Sequence, residues 1–255
     1  MLCYLPEMGD FLMEIKDSFV TNDKIFPKVR EIAFTRSNIF GNLGTLTNET
    51  DREVNDNFGP SRMQINDEGV YIYKSKYDNS KALRIYKCFN DPNFNGFRDE
   101  QLISKLQYFQ PLVDKTSFPT GVVTLDGKII GQEIDYYDNY KQLYEIKDLV
   151  TTKELLLLYR KCLEIVSELH NKGIGYLDIH GRNFLVDDDL DVKLIDFEPD
   201  LVKFDDNHAL NVSLNNFYRM INLINERINL NASYIKPTSI EEAKKNLEKL
   251  EKKVR

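Results

Sequence analysis

The chain has 255 residues, 42% of them hydrophobic, and a formal net charge of -7. That length suits one large domain or two lobes with substantial cores, and the acidic balance argues against a surface made for nucleic acid or for membrane adsorption. Cys3, Cys88 and Cys162 are too few and too scattered for a disulfide framework or a zinc site, so a reduced, cytoplasmic setting is expected. Neither a leader with a clean apolar core nor a run of about 18 apolar residues is present, so neither secretion signal nor membrane span is expected.

Phe11, Leu12, Ile15 and Phe19 recur at helical spacing, as do Val29, Ile32 and Ala33 after Pro27, which predicts two short helices within residues 1–36. From Ser37 to Ser61 Asn, Thr, Gly and Asp dominate, the composition of a long loop; residues 1–61 are thus expected to form an N-terminal extension. Arg62–Ile65, Val70–Lys74 and Lys81–Lys87 read as strands separated by turns at Asn66–Gly69 and Tyr77–Ser80. Phe97–Phe109 reads as a helix with Ile103 and Leu106 on its buried side.

Thr120–Leu125 and Lys128–Ile134 flank Asp126-Gly127, the signature of a tight hairpin. The most regular helix is Thr152–Asn171, striped by Leu155, Leu158, Tyr159, Cys162, Leu163, Val166 and Leu169 and stopped by Gly173. Phe184–Val186 and Val192–Ile195 read as two short strands around Asp187-Asp188-Asp189. Leu210–Ile228 reads as a helix. Ser239 with Glu242 predicts a capping box for a last helix through Lys253, whose stripe of Ile240, Ala243, Leu247, Leu250 and Val254 is expected to pack on the body.

The chemistry lies between Leu169 and Glu198. Asp178 and Asn183 stand in a D-x-x-x-x-N frame, and Asp196 opens Asp-Phe-Glu directly after an apolar strand. A hairpin between them returns Asn183 to the side of Asp196, and their hard oxygens suit a hard cation such as Mg²⁺. Taken singly, Asp178 and Asn183 are also ordinary turn formers, and the acidic trio a solvated loop. As a series the strip resembles the catalytic loop and metal-binding triplet of the protein kinases, and the resemblance extends over about residues 62–228.

The resemblance implies a two-lobed, protein kinase-like α+β fold: a small antiparallel β N-lobe with hinge over residues 62–137, and a reduced helical C-lobe over 138–255, with ATP between them. It implies that Asp178 orients the acceptor hydroxyl and takes its proton, while Asn183 and Asp196 hold Mg²⁺ on the ATP phosphates. Ala82 would lie beside adenine and Arg84 at the α- and β-phosphates, with Glu100 as the helical partner of Arg84. Ile134 would be the gatekeeper, the backbone of Asp135 and Tyr137 would meet the adenine edge, and Leu185 would form the floor beneath it.

The chain departs from the family at several points. Arg84 replaces a lysine, only Gly69 remains of the phosphate loop, Tyr176-Leu177 replaces His-Arg, and Glu198 replaces the glycine of Asp-Phe-Gly. No Ala-Pro-Glu follows Asp196, so the platform that receives peptide substrates is expected to be missing or rebuilt. The expected activity is transfer of the ATP γ-phosphate to a hydroxyl, with a protein serine or threonine as acceptor. His180 stands where aminoglycoside and choline kinases often carry histidine, which gives a small-molecule acceptor as the alternative. Arg84 and the depleted glycine loop give a third reading, a pseudokinase serving as an interaction module. Expected partners are ATP and a hydroxyl acceptor, without nucleic acid or membrane.

Overall fold

The computed structural model describes residues 13–15, 20–21, 24–25, 30–34, 70–74, 78, 80–86, 100–198 and 201–254. The fold is α+β, and the chain divides into two compact units, one within Met1–Tyr108 and Phe118–Tyr137, the other within Phe109–Ser117 and Asp138–Arg255. The expected strand Arg62–Ile65, the loop from Ser37 to Ser61 and the Gly69 turn lie outside the described residues.

The first unit contains β1 (Met13–Ile15), β2 (Val20–Thr21), β3 (Lys24–Ile25), β4 (Arg30–Phe34), β5 (Val70–Lys74), β6 (Lys81–Tyr86), α1 (Glu100–Phe109, its last residue passing into the second unit), β7 (Gly121–Leu125) and β8 (Lys128–Asp135). Six of the strands form one sheet in the order β1-β4-β7-β8-β6-β5. One expectation is corrected here. The two helices predicted within residues 1–36 are absent where the chain is described: Met13–Ile15 and Arg30–Phe34 are strands. The described strands of residues 62–137 pair antiparallel, as expected, and β4 adds one parallel pairing to β7, from Arg30 opposite Gly121 to Phe34 opposite Leu125. The physical reason is an edge. Without β4, β7 would present a row of unpaired backbone groups, and satisfying such a row outweighs a weak helical periodicity.

The β7–β8 hairpin turns on Asp126 and Gly127, both with positive φ (52° and 74°), the conformation demanded by a two-residue turn that follows the strand twist. Gly131 in β8 permits a close approach: a Cβ there would lie 2.1 Å from the Arg84 carbonyl oxygen. Asp78 closes the turn into β6, accepting from the backbone N–H and hydroxyl of Ser80. Helix α1 places Ile103 against Val122 and Ile129.

The second unit contains β9 (Lys141–Gln142), α2 (Leu143–Ile146), α3 (Thr152–Asn171), β10 (Ile174–Tyr176), β11 (Phe184–Val186), β12 (Val192–Leu194), β13 (Val202–Phe204), α4 (Asn207–Arg227) and α5 (Ile240–Val254). Helix α3 opens on a capping box, in which Thr151 Oγ1 accepts from the Glu154 N–H and Glu154 returns a bond to the Thr151 N–H. Its expected stripe is buried throughout and packs against α4 and α5. Gly173, at φ 71°, ends it by donating to the His170 carbonyl.

Helix α4 starts earlier than expected because Asp206 caps it, accepting from the N–H groups of His208 and Ala209. At α5, Ser239 Oγ accepts from the Glu242 N–H, but Glu242 reaches back to Thr238 instead of to the backbone of Ser239. Ala243, Leu247 and Leu250 face inward, with Arg160 of α3 paired to Glu251 at 2.5 Å. Among the described residues, no helix is long and apolar enough to cross a membrane.

Candidate active site

Strands β10, β11 and β12 with their connections carry the expected chemistry. In the hairpin, Phe184 lies opposite Leu194 and Val186 opposite Val192. The Ile195 N–H then donates to the Asn183 carbonyl at 2.9 Å, carrying the pairing one step beyond the strands. This added bond sets Asn183 beside the start of Asp196-Phe197. At the other end Asp187 Oδ1 accepts from the N–H groups of Asp189 and Asp191, so the first member of the acidic trio closes the turn.

Asn183 is fully buried. Its Nδ2 donates to Tyr176 Oη at 2.7 Å, to the Asp178 carbonyl at 3.0 Å and to Asp178 Oδ2 at 2.9 Å. Its Oδ1, equally inaccessible, has no hydrogen-bond partner. A buried carbonyl oxygen without a donor loses the hydration it had in the unfolded chain, and a bound cation is one of the few ways to restore it.

Asp178 is held from two sides. Besides the Asn183 amide, Oδ2 meets His180 Nε2 at 3.1 Å. His180 Nδ1 accepts from the Arg182 N–H at 3.2 Å, which puts the ring proton on Nε2 and makes the imidazole a donor to the carboxylate. Partial burial pushes the Asp178 carboxyl up, but the hydrogen bond from His180, with that from the Asn183 amide, outweighs it and holds it below its ordinary value. Asp178 is therefore an anion at neutral pH. Among the described residues nothing hydrogen-bonds its Oδ1.

Asp196 has φ 72°, in the left-handed region that a non-glycine residue adopts only under local constraint. The constraint is visible in its neighbours. Tyr176 Oη lies 3.0 Å from the Asp196 carbonyl and 3.3 Å from that of Ile195. Phe197, almost fully buried, leans on the Tyr176 ring at 4.7 Å. Burial and the charges of Asp196 and Asp178 push the Tyr176 hydroxyl far above its ordinary value, against a smaller opposing effect of Asn183, so the phenol keeps its proton.

Tyr176 is thus a site residue that the sequence marked only as a replacement for histidine. Two supports on α4 were also not foreseen: Ser213 Oγ donates to the Tyr176 carbonyl at 2.7 Å, and Asn216 Nδ2 to the Leu177 carbonyl at 2.5 Å. They tie both residues before Asp178 to one helix face, three positions apart.

The first unit collects another group. Arg84 lies opposite Gln132, and Gln132 opposite Val122, so the three share a sheet face. Val122 packs on Ile103, which makes α1 the cover of that face. Ala82, fully buried, lies on the same side and opposite Ile134. Arg84 is buried, its guanidinium 5.6 Å from the centre of the Tyr86 ring. Glu100 is the first residue of α1, and its side chain lies outside the described residues.

Asp135 pairs with Lys81 at 2.5 Å and receives a long hydrogen bond of 3.5 Å from the Tyr137 hydroxyl, while the Tyr136 N–H continues the ladder to the Ser80 carbonyl. Leu185, in the second unit, is the half-buried centre of β11, between Lys193 and Gln142. Asp178, His180 and Asn183 are therefore joined directly, Asp196 joins them through Tyr176, and Ala82, Arg84 and Ile134 form a separate set in the first unit.

No cluster of three His, Cys, Asp or Glu side chains capable of holding a metal occurs among the described residues. Mg²⁺, which keeps most of its own water, needs fewer protein ligands than such a cluster supplies. No protein-family model matches this chain, and no curated protein matches it.

Proposed function

We propose that this chain is an ATP-dependent phosphotransferase of protein kinase-like architecture, moving the ATP γ-phosphate to the hydroxyl of a protein serine or threonine. The observation that carries this reading is the Asn183 carboxamide, whose nitrogen is committed to Tyr176 and Asp178 while its buried oxygen is left for a cation. Asn183 Oδ1 and the Asp196 carboxylate would hold Mg²⁺, which when bound neutralises charge on the phosphate oxygens.

Asp178 supplies the remaining chemistry. With Oδ2 fixed by His180 and Asn183, Oδ1 is the oxygen that accepts the acceptor's hydroxyl proton as the new O–P bond forms and the bond to the β-phosphate oxygen breaks, releasing ADP. A carboxylate held below its ordinary pKa is a weak base. Its main contribution is orientation, with proton uptake late in the transfer. His180 helps to hold its pKa down and fixes its plane.

The direct His180–Asp178 bond favours a second acceptor class, small hydroxyl compounds, through the resemblance of that histidine to aminoglycoside and choline kinases. Titration calorimetry with ATP, with and without Mg²⁺, on wild type and Asp196→Ala tests the metal pair, and transfer of labelled phosphate tests the reaction. Asp178→Ala is expected to lose about a hundredfold or more in rate. Full ATP-dependent transfer by both variants removes the reading; labelling of small alcohols but not of proteins selects the second acceptor class.

A further inference from the structure

The Tyr176 hydroxyl stands between the two residues read as the Mg²⁺ pair. It has one proton to give, and the acceptors within reach are the backbone carbonyls of Asp196 at 3.0 Å and Ile195 at 3.3 Å. Toward Asn183, 2.7 Å away, it can then only accept. A carboxamide facing an acceptor must present its nitrogen, and the Asp178 carbonyl and Oδ2 make the same demand from the other side. The oxygen is turned away by elimination. The same phenol restrains the left-handed Asp196 backbone, and its ring is fixed by Phe197 and by the Ser213 bond to its carbonyl.

We infer that Tyr176 is a positioning residue whose hydroxyl sets the orientation of the Asn183 carboxamide and the place of Asp196, so that two oxygens from separate segments address one cation. The inference rests on the reading of Asn183 and Asp196 as the Mg²⁺ pair. A hydroxyl donates once and accepts in another direction, and so couples a side-chain amide to a backbone carbonyl. A tyrosine present only to fill the core would serve as well without its oxygen.

The test uses Tyr176→Phe in the full chain, which keeps the ring and removes only the hydroxyl. Mn²⁺ is the probe, with free ion read by electron paramagnetic resonance in the presence of ATP. Wild type is expected to bind Mn²⁺ and Tyr176→Phe to bind it about tenfold or more weakly, the usual effect of losing a group that orients a metal ligand. ATP affinity measured in excess EDTA is expected to be unchanged. Equal Mn²⁺ affinity in the two proteins overturns the inference and leaves the metal reading standing; no Mn²⁺ binding by wild type overturns both.

A second measurement does not depend on the variant folding. In ¹⁵N spectra of metal-free wild type, the Asn183 side-chain amide protons are expected to exchange with solvent far more slowly than those of exposed Asn211. Exchange as fast as that of Asn211 overturns the inference.

Discussion

Asn183 Nδ2 lies 2.9 Å from Asp178 Oδ2, so the amide that would orient a metal ligand also restrains the carboxylate that would receive the acceptor. Replacing that nitrogen by oxygen inverts the contact. Asn183→Asp would set a second carboxylate against Asp178 Oδ2 and the Asp178 carbonyl, and two adjacent carboxylates cannot both ionise without cost. One carboxyl in the folded variant then titrates above its unfolded value, a shift that destabilises the native state increasingly as pH rises through it. The variant is expected to melt well below wild type at about pH 8 and to recover part of the difference at about pH 5. Melting curves at both values check this; a deficit independent of pH rejects it.

His180 acts on Asp178 in the opposite sense. Its Nε2–H helps to hold the carboxyl below the ordinary value against partial burial. In His180→Ala the burial remains while the compensation shrinks to the Asn183 amide, so the Asp178 carboxyl is expected to titrate at higher pH than in wild type. The acid limb of the proposed phosphoryl transfer should move up with it. Carboxyl ¹³C chemical shifts followed through an acid titration measure the first, a pH–rate profile the second. Unmoved titration in the variant would show that burial and amide alone set the carboxyl.

What was legible in the sequence was what neighbours in the chain decide. The Thr151–Glu154 capping box, the stripe of α3 and the Asp126-Gly127 turn are local signals, and α3 runs over the expected Thr152–Asn171. The D-x-x-x-x-N frame likewise needs only a short loop to bring Asn183 onto Asp178. Tyr176 was not legible, because its partners Asn183 and Asp196 lie 7 and 20 residues along the chain and its hydroxyl looks like any other until they meet. Ser213 and Asn216 reach the strip from 37 and 39 residues away. The strands β1 and β4 failed for the related reason that β4 pairs with the distant β7 and β1 pairs only with β4, while the local spacing of Val29, Ile32 and Ala33 suited a helix.

The parallel pairing of β4 with β7 carries a prediction of its own. Ile32 lies opposite Val123, in the middle of a ladder running from Arg30 to Phe34. Proline there removes a backbone donor and fixes φ, so it is tolerated only where the ladder is not used. Ile32→Pro is expected to lower the melting temperature and to expose the β7 edge to aggregation. A helix interrupted at the same place would also be destabilised, so β7 supplies the discriminating measurement. Backbone amide exchange in β7 should accelerate in the variant if β4 is its partner, and stay as in wild type if it is not.

His170, in the last turn of α3, gives the fold a pH dependence remote from the site. Burial pushes its imidazole below the ordinary value, against a weaker opposing effect of a hydrogen bond with the Leu210 backbone, and its Nε2 is inaccessible and without a partner. A charged histidine at a helix C-terminus would gain from the helix dipole, so here burial outweighs that gain. The contribution to stability is complete above the unfolded value of about 6.5. Below it the unfolded chain takes up the proton first, and stability is lost as pH falls through the folded value. His170→Leu removes this titration while leaving the apolar contacts of the ring largely replaced. Urea unfolding between about pH 7 and pH 5 should therefore show a shallower loss of stability in the variant than in wild type. Parallel slopes would mean that the folded imidazole accepts a proton as readily as the unfolded one, and that the buried Nε2 is reached by water.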